Sequence, residues 1–129
     1  MLNDPLSNTL SKINNAEKIG RSEVTVNISS KIIKETLEVM KKNNYVGEYK
    51  ETQTSRGNTL KINMIGQINK CGTIKPRFSV QKSDFVKFEK RYLPARGFGI
   101  LIISTSKGIM THEEAKEKKL GGSLIAYCY

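Results

Sequence analysis

Residues 99–122, GILIISTSKGIMTHEEAKEKKLGG, change character twice within a short span. The apolar run FGILIIST, residues 98–105, makes a strand. A cluster of hydroxyls follows in Ser104, Thr105 and Ser106, with Lys107 and Gly108 behind it. Thr111 and Glu114 then form a capping box, in which the threonine oxygen accepts a free backbone N–H and the glutamate reaches back to the threonine N–H. A helix of about two turns is expected from there to Lys119, ended by Gly121 and Gly122. SLIAYCY, residues 123–129, returns as a strand, antiparallel to the run at 99–105 because the connection between them is short. The hydroxyl cluster is therefore expected between a strand and a helix N-terminus. It is either a turn that caps its own backbone or a surface presented to a ligand.

Outward from this stretch, Ser83 is placed to cap a short helix, DFVKFEKRY, with Phe85 and Phe88 three apart on a buried face. Leu93-Pro94-Ala95-Arg96-Gly97 breaks it. Upstream, KCGTIKPRFSVQKSDF (residues 70–85) loses periodicity and reads as a linker or docking segment. The N-terminal half is more regular. Asp4 is a plausible N-cap with Pro5 at the first helical position, and Leu6, Leu10 and Ile13 share a face before Gly20. EVTVNI alternates Val24, Val26 and Ile28 inward. A serine-capped helix carries Ile33, Leu37 and Met40 and ends at Asn43-Asn44. YVGEYKETQ and TLKINMIGQIN are two strands around a turn at Ser55-Arg56-Gly57-Asn58. The expected fold class is α+β. An α-β-α-β-β domain over residues 1–66, with two helices on one face of a small sheet, precedes a mostly antiparallel β domain with short helices over 67–129.

Twenty-two Lys and Arg against 12 Asp and Glu give the chain a net charge of +10. The excess is uneven: residues 1–66 carry +3, residues 67–107 carry 9 cations and 2 carboxylates, and residues 108–129 are neutral. Such concentration points to an anionic partner, whether RNA, DNA, an anionic membrane surface or an acidic protein. No apolar run is long enough to span a bilayer and no secretory signal opens the chain, so an intracellular, cytoplasmic protein is expected. Cys71 and Cys128 lie far apart, and His112 is the single histidine. No metal-ligand spacing results, and free thiols are expected.

A serine–lysine hydrolase built on Ser104 or Ser106 with Lys107 would need a base, an oxyanion hole and a closed pocket, which nothing nearby supplies. The stretch also lacks the G-x-x-x-x-G-K-[ST] spacing of a nucleotide-binding loop. Hydroxyls beside a helix start can instead read base edges or a ribose 2′-OH. Lys70, Lys75, Arg77, Lys90, Arg91, Arg96 and Lys107 are candidate phosphate contacts. They are interleaved with Phe78, Tyr92 and Phe98, which either stack on bases or belong to the core. Gly108, Gly121 and Gly122 either turn the chain or let backbone approach a phosphate or sugar.

GILIISTSKGIMTHEEAKEKKLGGSLIAYCY closely resembles the C-terminal signature of the S-eight family of small-subunit ribosomal proteins. NDPLSNTLSKINNA is similar to that family's opening, and INKCGTIKPRF with KFEKRYLPARGFGI resembles its archaeal and eukaryotic branch. The resemblance implies a protein without catalytic activity or cofactor, a primary binder of the 16S rRNA central domain that helps assemble the platform of the 30S subunit. It further implies a monomer off the ribosome, neighbouring small-subunit ribosomal proteins as partners, and repression of its own messenger RNA. By the same resemblance, Ser104, Thr105 and Ser106 enter an irregular RNA core with Lys107 on the backbone, and Gly121 and Gly122 approach closely. Asp4, Pro5, Asn8 and Lys31 meet a neighbouring part of the rRNA. Ser123 stands where many bacterial members have glutamate, and His112 where they have aspartate. The alternative class, a DNA-compacting architectural protein, would bind duplex without preferring an internal loop.

Overall fold

The structure, a computed structural model, describes residues 5–27, 31–55, 57–74, 79–81, 84–94 and 98–129. The chain divides into two compact units, Met1–Cys71 and Gly72–Tyr129. Together they are an α+β arrangement of helices and antiparallel sheets.

In the first unit, helix α1 (Pro5–Lys18) starts at the proline, whose missing N–H costs nothing in a first turn. Leu6, Leu10, Ile13 and Ala16 recur at helical spacing and are buried. Strand β1 (Glu23–Val26) follows, then α2 (Lys31–Lys42), which buries Ile33, Leu37 and Met40. The hairpin β2 (Val46–Thr54) and β3 (Gly57–Met64) completes a sheet of order β1-β3-β2, antiparallel throughout. Leu60, Ile62 and Met64 alternate inward while Lys61 and Asn63 do not, the two-residue period of a half-buried strand. Thr54 pairs with Gly57, so the turn is two residues long and β3 begins earlier than TLKIN suggests. The expected serine cap of α2 and the inward Ile28 lie outside the described residues.

The second unit, apart from Cys71 at the start of β4, contains a sheet of order β4-β8-β6-β7, with β5 also on β8: β4 (Cys71–Thr73), β5 (Ser79–Val80), β6 (Ile100–Thr105), β7 (Gly108–Thr111) and β8 (Gly122–Cys128). Helix α3 (Phe85–Tyr92) precedes β6, and α4 (His112–Glu117) joins β7 to β8. Leu101, Ile103, Met110 and Leu124 from the strands meet Phe85, Phe88 and Ala115 from the helices in one core. β6 is buried on both faces, with Ile100 to Ile103 all at 5% exposure or less, which is why its sequence is a continuous apolar run rather than an alternation. On β8 the residue Ile125 is extra: Ile103 pairs with Leu124 and Ile102 with Ala126. This bulge turns the Ile125 carbonyl to the Ile74 N–H at 2.9 Å.

Two expectations change here. The segment 70–85 is not a plain linker, because β4 and β5 lie within it as members of the sheet. The N-cap of α3 is Asp84, which makes no side-chain cap bond; its carboxylate accepts the Gln81 N–H at 3.2 Å instead. Ser83, expected in that role, is outside the described residues.

Candidate nucleic-acid interface

Ser104, Thr105, Ser106 and Lys107 form the tip of a β-hairpin. Thr105 pairs with Gly108, Ser104 with Ile109, Ile103 with Met110 and Ile102 with Thr111, which leaves Ser106 and Lys107 as the two turn residues. Gly108 supports the turn at φ +112°, a conformation that side chains rarely adopt. The helix start expected beside the hydroxyls is therefore displaced. Gly108–Thr111 is a strand, and at about 3.3 Å per residue it carries the start of α4 about 10 Å from the tip. Thr111 does cap α4, its Oγ1 accepting the Glu114 N–H at 3.2 Å. That helix ends at Glu117, two residues before Lys119, which takes a left-handed φ of 56°.

The three hydroxyls are not equivalent. Thr105 Oγ1 donates to the Gly108 carbonyl at 2.8 Å and accepts the Lys107 N–H at 3.1 Å, so it bolts the turn from inside. Ser104 and Ser106 are exposed, and no described residue hydrogen-bonds either hydroxyl. Lys107 is exposed beside them. Register adds residues that sequence reasoning did not bring together. Ser104 pairs with Ser123 on β8, and Ser123 with Ser79 on β5. Directly opposed residues share a face, so three serines form a row across the end of the sheet. The signal for that row is strand pairing, which no single segment carries.

Gly121 and Gly122 lie beside this row and are required by space. A Cβ at Gly122 would stand 2.2 Å from the Ser104 carbonyl oxygen, and one at Gly121 2.6 Å from that of Val80. Their absent side chains let β8 close on β6 and β5.

Of the cations, Arg91 sits in the last turn of α3 with Lys90. Its guanidinium lies 5.5 Å from the Tyr92 ring centroid, and Tyr92 stacks on Tyr127, which stacks on Tyr129. Tyr92 is thus engaged within the protein, while Phe98 is 49% exposed. Pro5 and Asn8 open α1 and are half-buried; Lys31, at the first position of α2, and Lys70 are exposed. These four belong to the first unit and the hairpin to the second. Asp4, Lys75, Arg77 and Arg96 lie outside the described residues, as does Phe78.

Nothing at the tip resembles an activated nucleophile. His112 is committed to the Leu101 N–H and Glu89, not to a serine. Burial first, and the Glu17 carboxylate second, push the Cys71 thiol up to about 12, and its S–H donates to the Leu10 carbonyl. Among the described residues no group of His, Cys, Asp and Glu is arranged to hold a metal, and no helix is long and apolar enough to cross a membrane.

Exposed hydroxyls at a hairpin tip with Lys107 beside them, in a chain of net charge +10, have the chemistry of an RNA-binding protein of α+β architecture. The family model described as Ribosomal protein S8 matches residues 4–129, nearly the whole chain, and the chain belongs to that family. It is accordingly a structural, rRNA-binding constituent of the small ribosomal subunit, with other ribosomal proteins beside it, and the family is not one of enzymes.

Proposed function

We propose that this protein is a primary binder of the central domain of 16S rRNA, where it grips an irregular helix and helps the platform of the 30S subunit to assemble. One observation carries this reading. Thr105 satisfies the hairpin turn by itself and leaves the Ser104 and Ser106 hydroxyls facing outward. A hydroxyl both donates and accepts, which suits the edges of unpaired bases and the ribose 2′-OH of a wide, shallow minor groove. Lys107, Arg91 and the cations at 70, 75, 77 and 96 supply phosphate contacts that set register and affinity without reading sequence. Ser123 and Ser79 extend the hydroxyl strip along the RNA. Gly121 and Gly122 keep it narrow, and Asp4, Pro5, Asn8 and Lys31 meet a second part of the same RNA.

The same surface would fold a similar hairpin of the protein's own messenger RNA against itself and so repress translation. The free protein is a monomer in this account. A gel shift comparing a central-domain fragment, its fully paired variant and duplex DNA tests the reading. A preference of at least about tenfold for the irregular fragment is expected, or about 1.4 kcal/mol. Equal affinity for all three overturns it, and tighter binding to duplex DNA would make the protein an architectural DNA binder.

A further inference from the structure

At the end of the β6–β7 hairpin opposite its hydroxyl tip lies a buried polar cluster that RNA contact leaves unexplained. His112, 2% exposed, is the first residue of α4. Its Nδ1 accepts the Leu101 N–H at 3.1 Å, so the ring replaces the next main-chain acceptor beyond the Ile102–Thr111 pair and extends the hairpin ladder by one bond. A nitrogen that accepts carries no proton, so the ring hydrogen is on Nε2, 3.2 Å from Glu89 Oε1. Glu89, on α3 and only 8% exposed, also holds the Lys116 ammonium of α4. One imidazole thus ties β6, α3 and α4 together.

We propose that His112, in its neutral Nε2–H form between the Leu101 N–H and the Glu89 carboxylate, is a positioning residue that fixes the hydroxyl hairpin for RNA, and that a proton on Nδ1 releases it. The release follows from geometry. A second proton has only Nδ1 to go to, where it meets the Leu101 N–H head on and breaks the bond that ends the ladder. The charged groups facing the ring are Glu89 from α3 and Lys116 and Glu113 from α4, with the Leu101 N–H from β6. Burial opposes the imidazolium most strongly and outweighs the pull of Glu89, so the pKa lies below its ordinary 6.5. The unfolded chain therefore takes up the proton more readily than the folded one. The stability lent by His112 is complete above pH 6.5 and is lost as pH falls from there through the folded value.

The consequence for RNA rests on reading the hairpin as the RNA contact, and the test separates the two. His112 is the only histidine in the chain, so long-range proton–nitrogen NMR spectra of the full chain without RNA report it directly. The Nε2–H tautomer is expected at neutral pH, with a midpoint below 6.5 shared by the amides of Leu101, Ser106 and Lys107. An Nδ1–H tautomer, a midpoint at or above 6.5, or hairpin amides that ignore the titration would overturn the proposal. RNA affinity is then followed from about pH 7.5 to about pH 5 for the native chain and for His112→Gln, whose carboxamide accepts and donates in the same sense but does not titrate. A fall on the order of tenfold is expected for the native chain, with the variant flat within about twofold. Equal pH dependence of the two also overturns the proposal. If the ring and hairpin titrate together and the RNA fragment is bound at no pH, the RNA reading has failed and the positioning role stands.

Discussion

Thr105 and its serine neighbours carry the same functional group and play different parts, which substitution separates. Thr105→Ala removes two hydrogen bonds inside the turn; because the tip is partly solvated, about 1 kcal/mol of stability is expected to be lost, read as a lower urea midpoint. Thr105→Ser keeps both bonds and is expected to stay close to the native midpoint. Gly122→Ala is the harsher change. Its new methyl would stand 2.2 Å from a main-chain oxygen, which no side-chain rotation can relieve. About 1–3 kcal/mol of destabilisation is expected, together with weaker RNA binding because Ser104 moves with the strand. A variant of native stability and affinity would show that β8 closes on β6 less tightly than described. The hydroxyl that Thr105 shares with Ser104 and Ser106 does not disclose its role, which follows from the hairpin turning it onto Gly108 and Lys107.

Among the elements, those legible in the sequence are those with enough residues to show a period or a terminal signal. α1 and α2 carry three turns or more of apolar spacing, β6 a continuous apolar run, and α4 a threonine cap. β7, β4 and β5 have 4, 3 and 2 residues, so no alternation can develop, and only their hydrogen-bonded partners make them strands. The brevity of β7 has the largest effect, since without that strand a hairpin tip looks like the threshold of a helix. The serine row was hidden for the same reason. α4 is six residues long, too short to persist on its own propensity, so its cap matters more than in a long helix. Thr111→Ala is expected to cost about 1 kcal/mol, with hydrogen exchange rising first at the amides of Glu114 and Ala115. Unchanged exchange there would mean that the packing of Ala115 and the contacts of His112 and Lys116 with Glu89 hold the helix without its cap.

For the whole molecule, the +10 charge and the +7 carried by residues 67–107 make affinity a matter of counterion release. If about five to seven phosphates are neutralised, log affinity is expected to fall against log salt with a slope of about −4 to −6. Replacing Lys75 and Arg77 together should weaken binding to every RNA alike and flatten that slope by about one to two units; an unchanged slope would assign them to a protein neighbour instead. Specificity, in contrast, is assigned by the proposed function to the hairpin, and that assignment is the central claim to test. The most direct measurement is the affinity of the Ser104→Ala, Ser106→Ala double variant for the irregular central-domain fragment and for its fully paired counterpart, at one salt concentration. The double variant is predicted to lose about 1–3 kcal/mol for each hydroxyl that the complex buries against a base on the irregular fragment, while binding the paired RNA as the native chain does. Retention of the full preference for the irregular fragment would contradict the assignment of these serines as the RNA-reading groups.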